Sequence, residues 1–186
     1  MAYQVYYPSG CNTAVPDHFC SDCPTKETGR VRAVAFIKDT FEFTDPEDPN
    51  EWAAGIASKD IIIINKTNGT FDGGSEEEGP GYGDQDTELL GYAFTAVFND
   101  PNYKNNWDHY MAIKRSGNYR FAFKTETLVH IVNKTVSIVP KNPVEDSVTS
   151  RVQWNVTVKW KDEDVPQPFT APAGVFVCLD YTGVIN

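Results

Sequence analysis

Apolar and polar residues alternate with a period of two over several stretches of this chain. In the clearest stretch the alternate apolar positions are Val152, Trp154, Val156, Val158 and Trp160. Because successive side chains of a β-strand point to opposite faces, this pattern predicts a strand with one buried face and one exposed face. Segments 31–37 and 119–123 show the same alternation. The two Trp residues share a face with three Val residues, so we expect them in a core or an interface.

Four further segments are predicted as strands: 60–66, 89–98, 128–139 and 174–180. Alternation differs from the continuous apolar runs that are typical of parallel strands buried on both faces. It therefore favours antiparallel pairing with one face in water. The predicted fold is mainly β, an antiparallel β-sandwich or barrel with one or two short helices.

Two short helices are predicted between these strands. Asp48 followed by Pro49 is a typical helix start, and the helix is expected to run to Ser58. A second helix is predicted to open at Asp100 and to stop at Gly117, because apolar residues between them recur three or four positions apart.

The length of 186 residues favours one domain. We predict an extended Cys-containing arm over residues 1–25 and a single β-rich domain over 26–186. Residues 1–10 lack the basic start and apolar centre of a secretory signal, so we expect a protein that stays in the cytosol in which it is made. The sequence has no apolar run of the ~20 residues that a membrane span needs, and no membrane partner is expected.

Charge is concentrated in the middle of the chain. The whole sequence has a formal charge of -10, and segment 38–108 alone carries 16 acidic and 4 basic residues. Within it, 71–87 is rich in Gly and carboxylates, so we predict a long mobile acidic loop there. The carboxylates that this loop would expose are Glu76, Glu77, Glu78, Asp84 and Asp86.

Possible metal ligands occur together only in the predicted arm. They are Cys11, His18, Cys20 and Cys23. Two Cys residues three positions apart can bind one Zn²⁺, but the arm lacks a second pair at that spacing. Unpaired thiols or a single disulfide therefore stay open as alternatives to a zinc site, and no other cofactor is expected.

Catalytic motifs are not found. The acidic residues do not complete the spacing of an EF-hand, and carboxylates in a Gly-rich loop are poorly placed for glycoside hydrolysis. The sequence contains neither the Gly-x-Ser-x-Gly nucleophile motif nor a Gly-rich phosphate-binding motif. We therefore expect a protein that is not an enzyme.

Several stretches together resemble a known group of proteins. They are the run from Cys23 through Arg30 into 31–37, the predicted helix near Trp107, and segments 119–139 and 152–160. In this respect the chain is similar to virion structural proteins of crAss-like tailed bacteriophages, of the tail-tube or ring-protein type. The resemblance implies a sandwich or barrel flanked by a helix, which assembles into rings around the channel that DNA crosses.

The resemblance also implies partners and a place in the virion. Expected partners are copies of the protein itself and adjacent tail, neck or portal proteins, after assembly in the cytoplasm of the host bacterium. An aromatic arm segment is the candidate subunit-interface arm, made of Tyr3, Val5, Tyr6 and Tyr7. Carboxylates that face the channel would repel phosphates, so DNA would pass without specific binding.

Three alternative functions are kept open. One is a capsid decoration protein on the phage head. Another is a carbohydrate-binding β-sandwich module that uses Trp52, Trp107 and an acidic calcium loop. The third, a glycoside hydrolase, would require one acidic residue whose amide substitution abolishes turnover.

Overall fold

The computed structural model describes residues 27, 29–81, 83, 87–146 and 149–176. This part of the chain forms ten strands and two helices. In chain order they are β1 (Ala33–Lys38), α1 (Pro49–Ala57), β2 (Ile61–Ile64), β3 (Asn68–Phe71), β4 (Ser75–Pro80), β5 (Thr87–Asp100), α2 (Trp107–Ser116), β6 (Tyr119–Lys124), β7 (Leu128–Ile131), β8 (Ser137–Lys141), β9 (Trp154–Asp162) and β10 (Gln167–Thr170). The predicted mainly β fold with short helices is confirmed.

The strands form two sheets, and all pairings within them are antiparallel. We name the sheet with the order β10-β7-β6-β1-β2 the inner sheet. The outer sheet has the order β3-β5-β9-β8, and β4 also pairs with β5. Of the two predicted forms the described residues adopt the sandwich, not a closed barrel. The chain crosses between the sheets after β2, where Val31 and Gly69 exchange two backbone hydrogen bonds of 3.1 Å.

The main core lies between the two sheets. The inner sheet contributes Phe36 and Phe121, and the outer sheet contributes Phe98, whose ring centroid lies 6.2 Å from that of Phe36. Trp154 and Trp160 are 1% and 5% exposed and belong to the same cluster. Their predicted place in the core is confirmed.

A second core covers the other face of the inner sheet. Trp52 of α1 packs there with Ala35 and Ile37 of β1 and with residues near the end of the described chain. The inner sheet is therefore buried on both faces, and the first five residues of β1 are all buried. The prediction that these strands have one face in water is wrong for β1, because α1 and its flanking loops form a third layer.

Helix α1 forms as predicted. The side chain of Asp48 accepts a hydrogen bond of 2.9 Å from the Asn50 N–H, and Pro49 occupies the first turn. Gly55 lets the helix approach β2, since a Cβ at this position would lie 2.5 Å from the Ile61 Cδ1 atom. The helix is thus fixed at its start by its cap and along its length by close packing.

Three other element predictions need correction. Helix α2 begins at Trp107 and not at Asp100, which is the last residue of β5, although Gly117 ends it as predicted with a φ of 63°. Segment 128–139 is two strands in different sheets, because the chain crosses from β7 to β8. Residues 174–176 are not in a strand, and the rest of the predicted strand at 174–180 lies outside the described residues.

The acidic segment is also different from its prediction. Within the loop predicted at 71–87, Ser75–Pro80 is strand β4, which pairs with β5. Turn residues Gly73 and Gly74, both with positive φ, redirect the chain from β3 to β4. The prediction treated a Gly-rich acidic composition as a loop, but backbone pairing with β5 does not require the Glu side chains to be buried.

Candidate functional site

Strand β5 is longer than its neighbour β9, and its start projects from the outer sheet. In the described residues β9 ends at Asp162, opposite Tyr92. Residues 87–91 continue beyond that point and pair with β4. Residues 77–80 and 87–91 form this two-stranded extension, and we name β4 together with residues 87–91 the β4–β5 hairpin. Two-stranded extensions of this kind have little core of their own.

The β4–β5 hairpin carries two large exposed apolar side chains. Leu89 is 50% exposed and Leu90 is 62% exposed. The side chain of Leu90 lies over Gly79, where a Cβ would be 2.7 Å from the Leu90 Cδ1 atom. Large exposed apolar side chains on a projecting strand are a feature that is typical of interaction surfaces.

Carboxylates surround these leucines. Glu76 and Glu78 are exposed, and the described residues provide no cation within ion-pair distance of either. Glu77 differs, because its carboxylate lies 2.6 Å from the Lys161 ammonium on β9. The other predicted acidic residues, Asp84 and Asp86, lie outside the described residues. The β4–β5 hairpin is therefore an acidic projection with apolar side chains at its centre.

The opposite end of β5 is attached to α2 through one buried carboxylate. Asp100 is 1% exposed. Its Oδ2 atom accepts hydrogen bonds from Asn106 Nδ2 at 2.6 Å and from the Tyr110 hydroxyl at 2.8 Å. Its Oδ1 atom accepts one from the Asn102 N–H at 2.9 Å. Burial and the nearby Asp100 charge raise the pKa of Tyr110 well above its ordinary value, so the hydroxyl stays protonated and donates.

Helix α2 presents a basic surface with one exposed aromatic ring. Trp107 is 54% exposed, although its neighbours Tyr110 and Ile113 are buried. Lys114 and Arg115 occupy the exposed last turn, where cations interact favourably with the helix dipole. We name the surface formed by Lys104, Trp107, Lys114 and Arg115 the α2 face. Asp108, next to Trp107, is the acidic residue of this helix, so cations outnumber carboxylates on this side of the molecule.

The two described histidines are packed side chains. His109 lies on α2 with its ring centroid 6.5 Å from that of Phe36, and the His130 ring stacks on Phe123 at 4.7 Å. Burial lowers the pKa of both imidazoles. Both are therefore neutral near neutral pH.

A carboxylate at the start of the described chain accepts hydrogen bonds from several donors in the β6–β7 turn. Glu27 accepts five hydrogen bonds of 2.6–3.3 Å there. The donors are the hydroxyls of Thr125 and Thr127 and the backbone N–H groups of Glu126, Thr127 and Leu128. These bonds, led by that from Thr125, lower the pKa of Glu27 to about 2. Glu27 thus connects the segment after the predicted arm to the inner sheet.

We expect Glu27→Gln to lower the thermal midpoint of unfolding at neutral pH, because the amide can accept fewer of these bonds. The pKa of Glu27 is lower in the folded protein than its ordinary value of 4.5, so its stabilisation is complete above 4.5 and is lost as the pH falls towards about 2. Thermal unfolding measured across this range should show the difference between wild type and variant shrinking at acid pH. Equal midpoints at neutral pH would contradict the role of Glu27, and Asp39→Asn, at an exposed carboxylate, is the control.

Most of the remaining predicted site residues lie outside the described residues. The predicted zinc ligands Cys11, His18, Cys20 and Cys23 lie outside the described residues, and so do the arm residues Tyr3, Val5, Tyr6 and Tyr7. The described residues contain no group of three or more His, Cys, Asp or Glu side chains that could bind a metal ion. Trp52 is completely buried and cannot stack on a sugar, so its predicted role in a carbohydrate-binding site is wrong.

Two shallow depressions lie on the surface of the described residues. One of about 210 Å³ lies between the end of β5 and the loop before β9, and is lined by polar residues that include Asn99, Arg151 and Asn155. The other, of about 350 Å³, lies beside the β6–β7 turn. The charged residues that line them are Glu145 and Arg151 in the first and Lys124 and Glu126 in the second.

In the part of the chain that the structure describes, neither helix is long and apolar enough to cross a membrane. Comparison of the chain with models of protein families, with curated proteins and with solved structures finds no match.

Proposed function

We propose that this protein is a non-enzymatic structural component of a tailed-phage virion, in which it assembles with copies of itself into a ring around the DNA channel of the tail or neck. The projecting β4–β5 hairpin carries this proposal, since its exposed Leu89 and Leu90 need a covering surface. The place in a virion rests on the resemblance of the sequence to phage tail-tube and ring proteins.

A second copy of this protein is the simplest partner that would cover the exposed leucines of the hairpin. A half-exposed Leu side chain that becomes buried contributes about 1 kcal/mol, so the two leucines together provide about 2 kcal/mol per contact. A ring repeats this contact between every pair of neighbours and leaves no unpaired end. A contact that is weak for one pair of molecules is thus sufficient in a closed assembly.

The charge of the chain fits a channel that lets DNA pass. The protein carries a formal charge of -10, and segment 38–108 holds 16 acidic residues against 4 basic ones. Carboxylates on a channel wall repel the phosphate backbone, whereas a basic wall would bind it with salt-dependent affinity. DNA is therefore proposed to pass without specific binding.

We expect the double substitution Leu89→Ser and Leu90→Ser to weaken self-association by at least about tenfold, because the proposed contact loses most of its apolar area. Size-exclusion chromatography with light scattering should show wild type above the mass of a monomer and the variant as a monomer at the same concentration. Val165→Ser removes a comparably exposed apolar side chain after β9 and is the matched control.

Two results would count against the proposal in different ways. A wild-type protein that stays monomeric at every concentration would contradict self-assembly. A wild-type oligomer that the Leu89 and Leu90 substitutions leave intact would contradict the role of the β4–β5 hairpin. Unchanged circular dichroism of the variant would show that its fold is intact, as the exposure of both side chains leads us to expect.

A further inference from the structure

We infer that the β4–β5 hairpin of one copy docks on the α2 face of the next copy. This inference rests on the proposed function and names the two surfaces of the ring interface. It commits to a second copy of this chain as the occupant of both surfaces.

The two surfaces lie at opposite ends of one long strand. The hairpin contains residues 87–91 of β5, and α2 follows the other end of β5, to which Asp100 attaches it. A strand of 14 residues spans about 45 Å, so the hairpin of one molecule cannot cover its own α2 face. The contact must join two molecules, and because it joins two different surfaces it is head-to-tail. Head-to-tail contacts that close produce rings.

The charges of the two surfaces are complementary. The hairpin exposes Glu76 and Glu78, whereas the last turn of α2 exposes Lys114 and Arg115. The described residues contain no salt bridge that uses any of these four side chains. Opposite charges that are free within one molecule can pair between two molecules and fix how they associate.

Each of the two surfaces also carries large exposed apolar side chains. Leu89 and Leu90 lie on the strand that pairs with Glu76–Glu78, and Trp107 is the first residue of α2, the helix whose last turn holds Lys114 and Arg115. A large exposed aromatic ring among basic side chains is typical of the centre of an interface. Each surface thus combines exposed apolar side chains with charges that are mainly acidic on the hairpin, where Lys161 pairs with Glu77, and mainly basic on α2, where Asp108 is the acidic residue.

Other described surfaces fit the hairpin less well. The α1 side of the molecule carries exposed acidic residues, among them Asp39 and Glu42, which would repel an acidic hairpin. The open edge of the inner sheet at β10 contains Pro168, and Pro cannot donate a hydrogen bond to an added strand. The α2 face is the described surface that combines free cations with an exposed aromatic ring.

Charge reversal tests this pairing. One variant carries Glu76→Lys and Glu78→Lys, and a second carries Lys114→Glu and Arg115→Glu. Each variant alone places like charges against each other, so each should associate at least about tenfold more weakly than wild type in light scattering. A mixture of the two variants should associate again, because the acidic hairpin of one then meets the basic α2 face of the other, and the reversed hairpin meets the reversed α2 face.

The matched controls reverse charges elsewhere. Asp39→Lys and Lys59→Glu change exposed side chains on the α1 side and should leave association unchanged. Circular dichroism and thermal unfolding of each variant would separate loss of the fold from loss of the contact. A single chain that carries all four reversals should assemble like wild type, since both surfaces are reversed together.

The outcomes separate this inference from the proposed function. If wild type assembles but reversal of the α2 face has no effect, the hairpin docks elsewhere and the inference is wrong, although the ring proposal stands. If each variant fails alone and the mixture also fails, the two surfaces do not meet. If wild type itself never assembles, the proposed function and the inference both fail.

Discussion

Asp100→Ala is expected to lower the free energy of unfolding by about 3–5 kcal/mol. The substitution removes the acceptor of the Asn102 N–H, the Asn106 amide and the Tyr110 hydroxyl. A buried donor without an acceptor costs about 1–3 kcal/mol, and the Tyr110 side chain is completely buried. The loss should also release the first turn of α2 from the end of β5, so we expect it to weaken assembly as well as the fold.

Chemical denaturation gives the free energy directly. Asp100→Asn keeps one acceptor oxygen and the volume of the side chain, so it should cost less than Asp100→Ala. Asp108→Ala removes an exposed carboxylate from the same helix and should cost no more than about 1 kcal/mol, the size of a helix-dipole interaction. An Asp100→Ala protein as stable as the Asp108→Ala protein would show that Asp100 does not hold α2 in place.

We expect Trp52→Ala to lower the free energy of unfolding by about 3–5 kcal/mol, the usual cost of removing a large aromatic side chain from a core. The Trp52 ring lies 4.8 Å from that of Phe43 and 5.2 Å from that of Phe176, measured between centroids. Its Nε1–H donates a hydrogen bond of 2.8 Å to the Pro46 carbonyl. Trp52 therefore joins α1 and the loops on both sides of it to the inner sheet.

Trp107→Ala is the matched control, since it removes a ring of the same size from an exposed position. It should lower the free energy of unfolding by clearly less than Trp52→Ala does, because about half of the Trp107 surface is already in contact with solvent, whereas Trp52 is completely buried. Denaturation followed by far-UV circular dichroism would compare the two variants without relying on Trp fluorescence. Equal losses of stability would contradict the third layer that α1 forms over the inner sheet.

The alternation of apolar and polar residues was sufficient to predict strands where one face of the sheet is in water. Strand β9 is the clearest case, since its alternating burial follows the alternating sequence. Strands of the inner sheet are different, because α1 covers one face of this sheet and the outer sheet covers the other. Both faces of such strands are apolar: β2 consists of four Ile residues, and five of the six residues of β1 are apolar. Sequence alone did not show that α1 would cover a sheet face.

The acidic segment shows the limit of arguments from composition. Glu76, Glu77 and Glu78 lie among Gly residues, a pattern that indicates a loop. In the structure their backbone pairs with β5 and their charged side chains stay in contact with solvent or with Lys161. Strand β4 forms because β5 is longer than its neighbours and offers it a free edge. This depends on the arrangement of the whole sheet and cannot be predicted from the local sequence of β4.

The candidate interaction surfaces could be predicted only in part. The sequence placed Leu89 inside a strand and the acids beside it, but not the early end of β9 that leaves the hairpin projecting. The prediction of Asp100 as the start of a helix is wrong, because Asp100 ends β5 and contacts α2 only through its side chain. The hydrogen bonds of Glu27 could not be predicted from the sequence, because the groups that donate to it lie in a turn about a hundred positions away.

The central claim is that copies of this protein meet one another in a closed ring. Electron microscopy of the purified wild-type protein at high concentration tests this most directly. We predict rings of uniform diameter with a central opening, built from one repeated contact between neighbours. Images that contain only separate single subunits, under conditions where the protein is folded, would contradict the account.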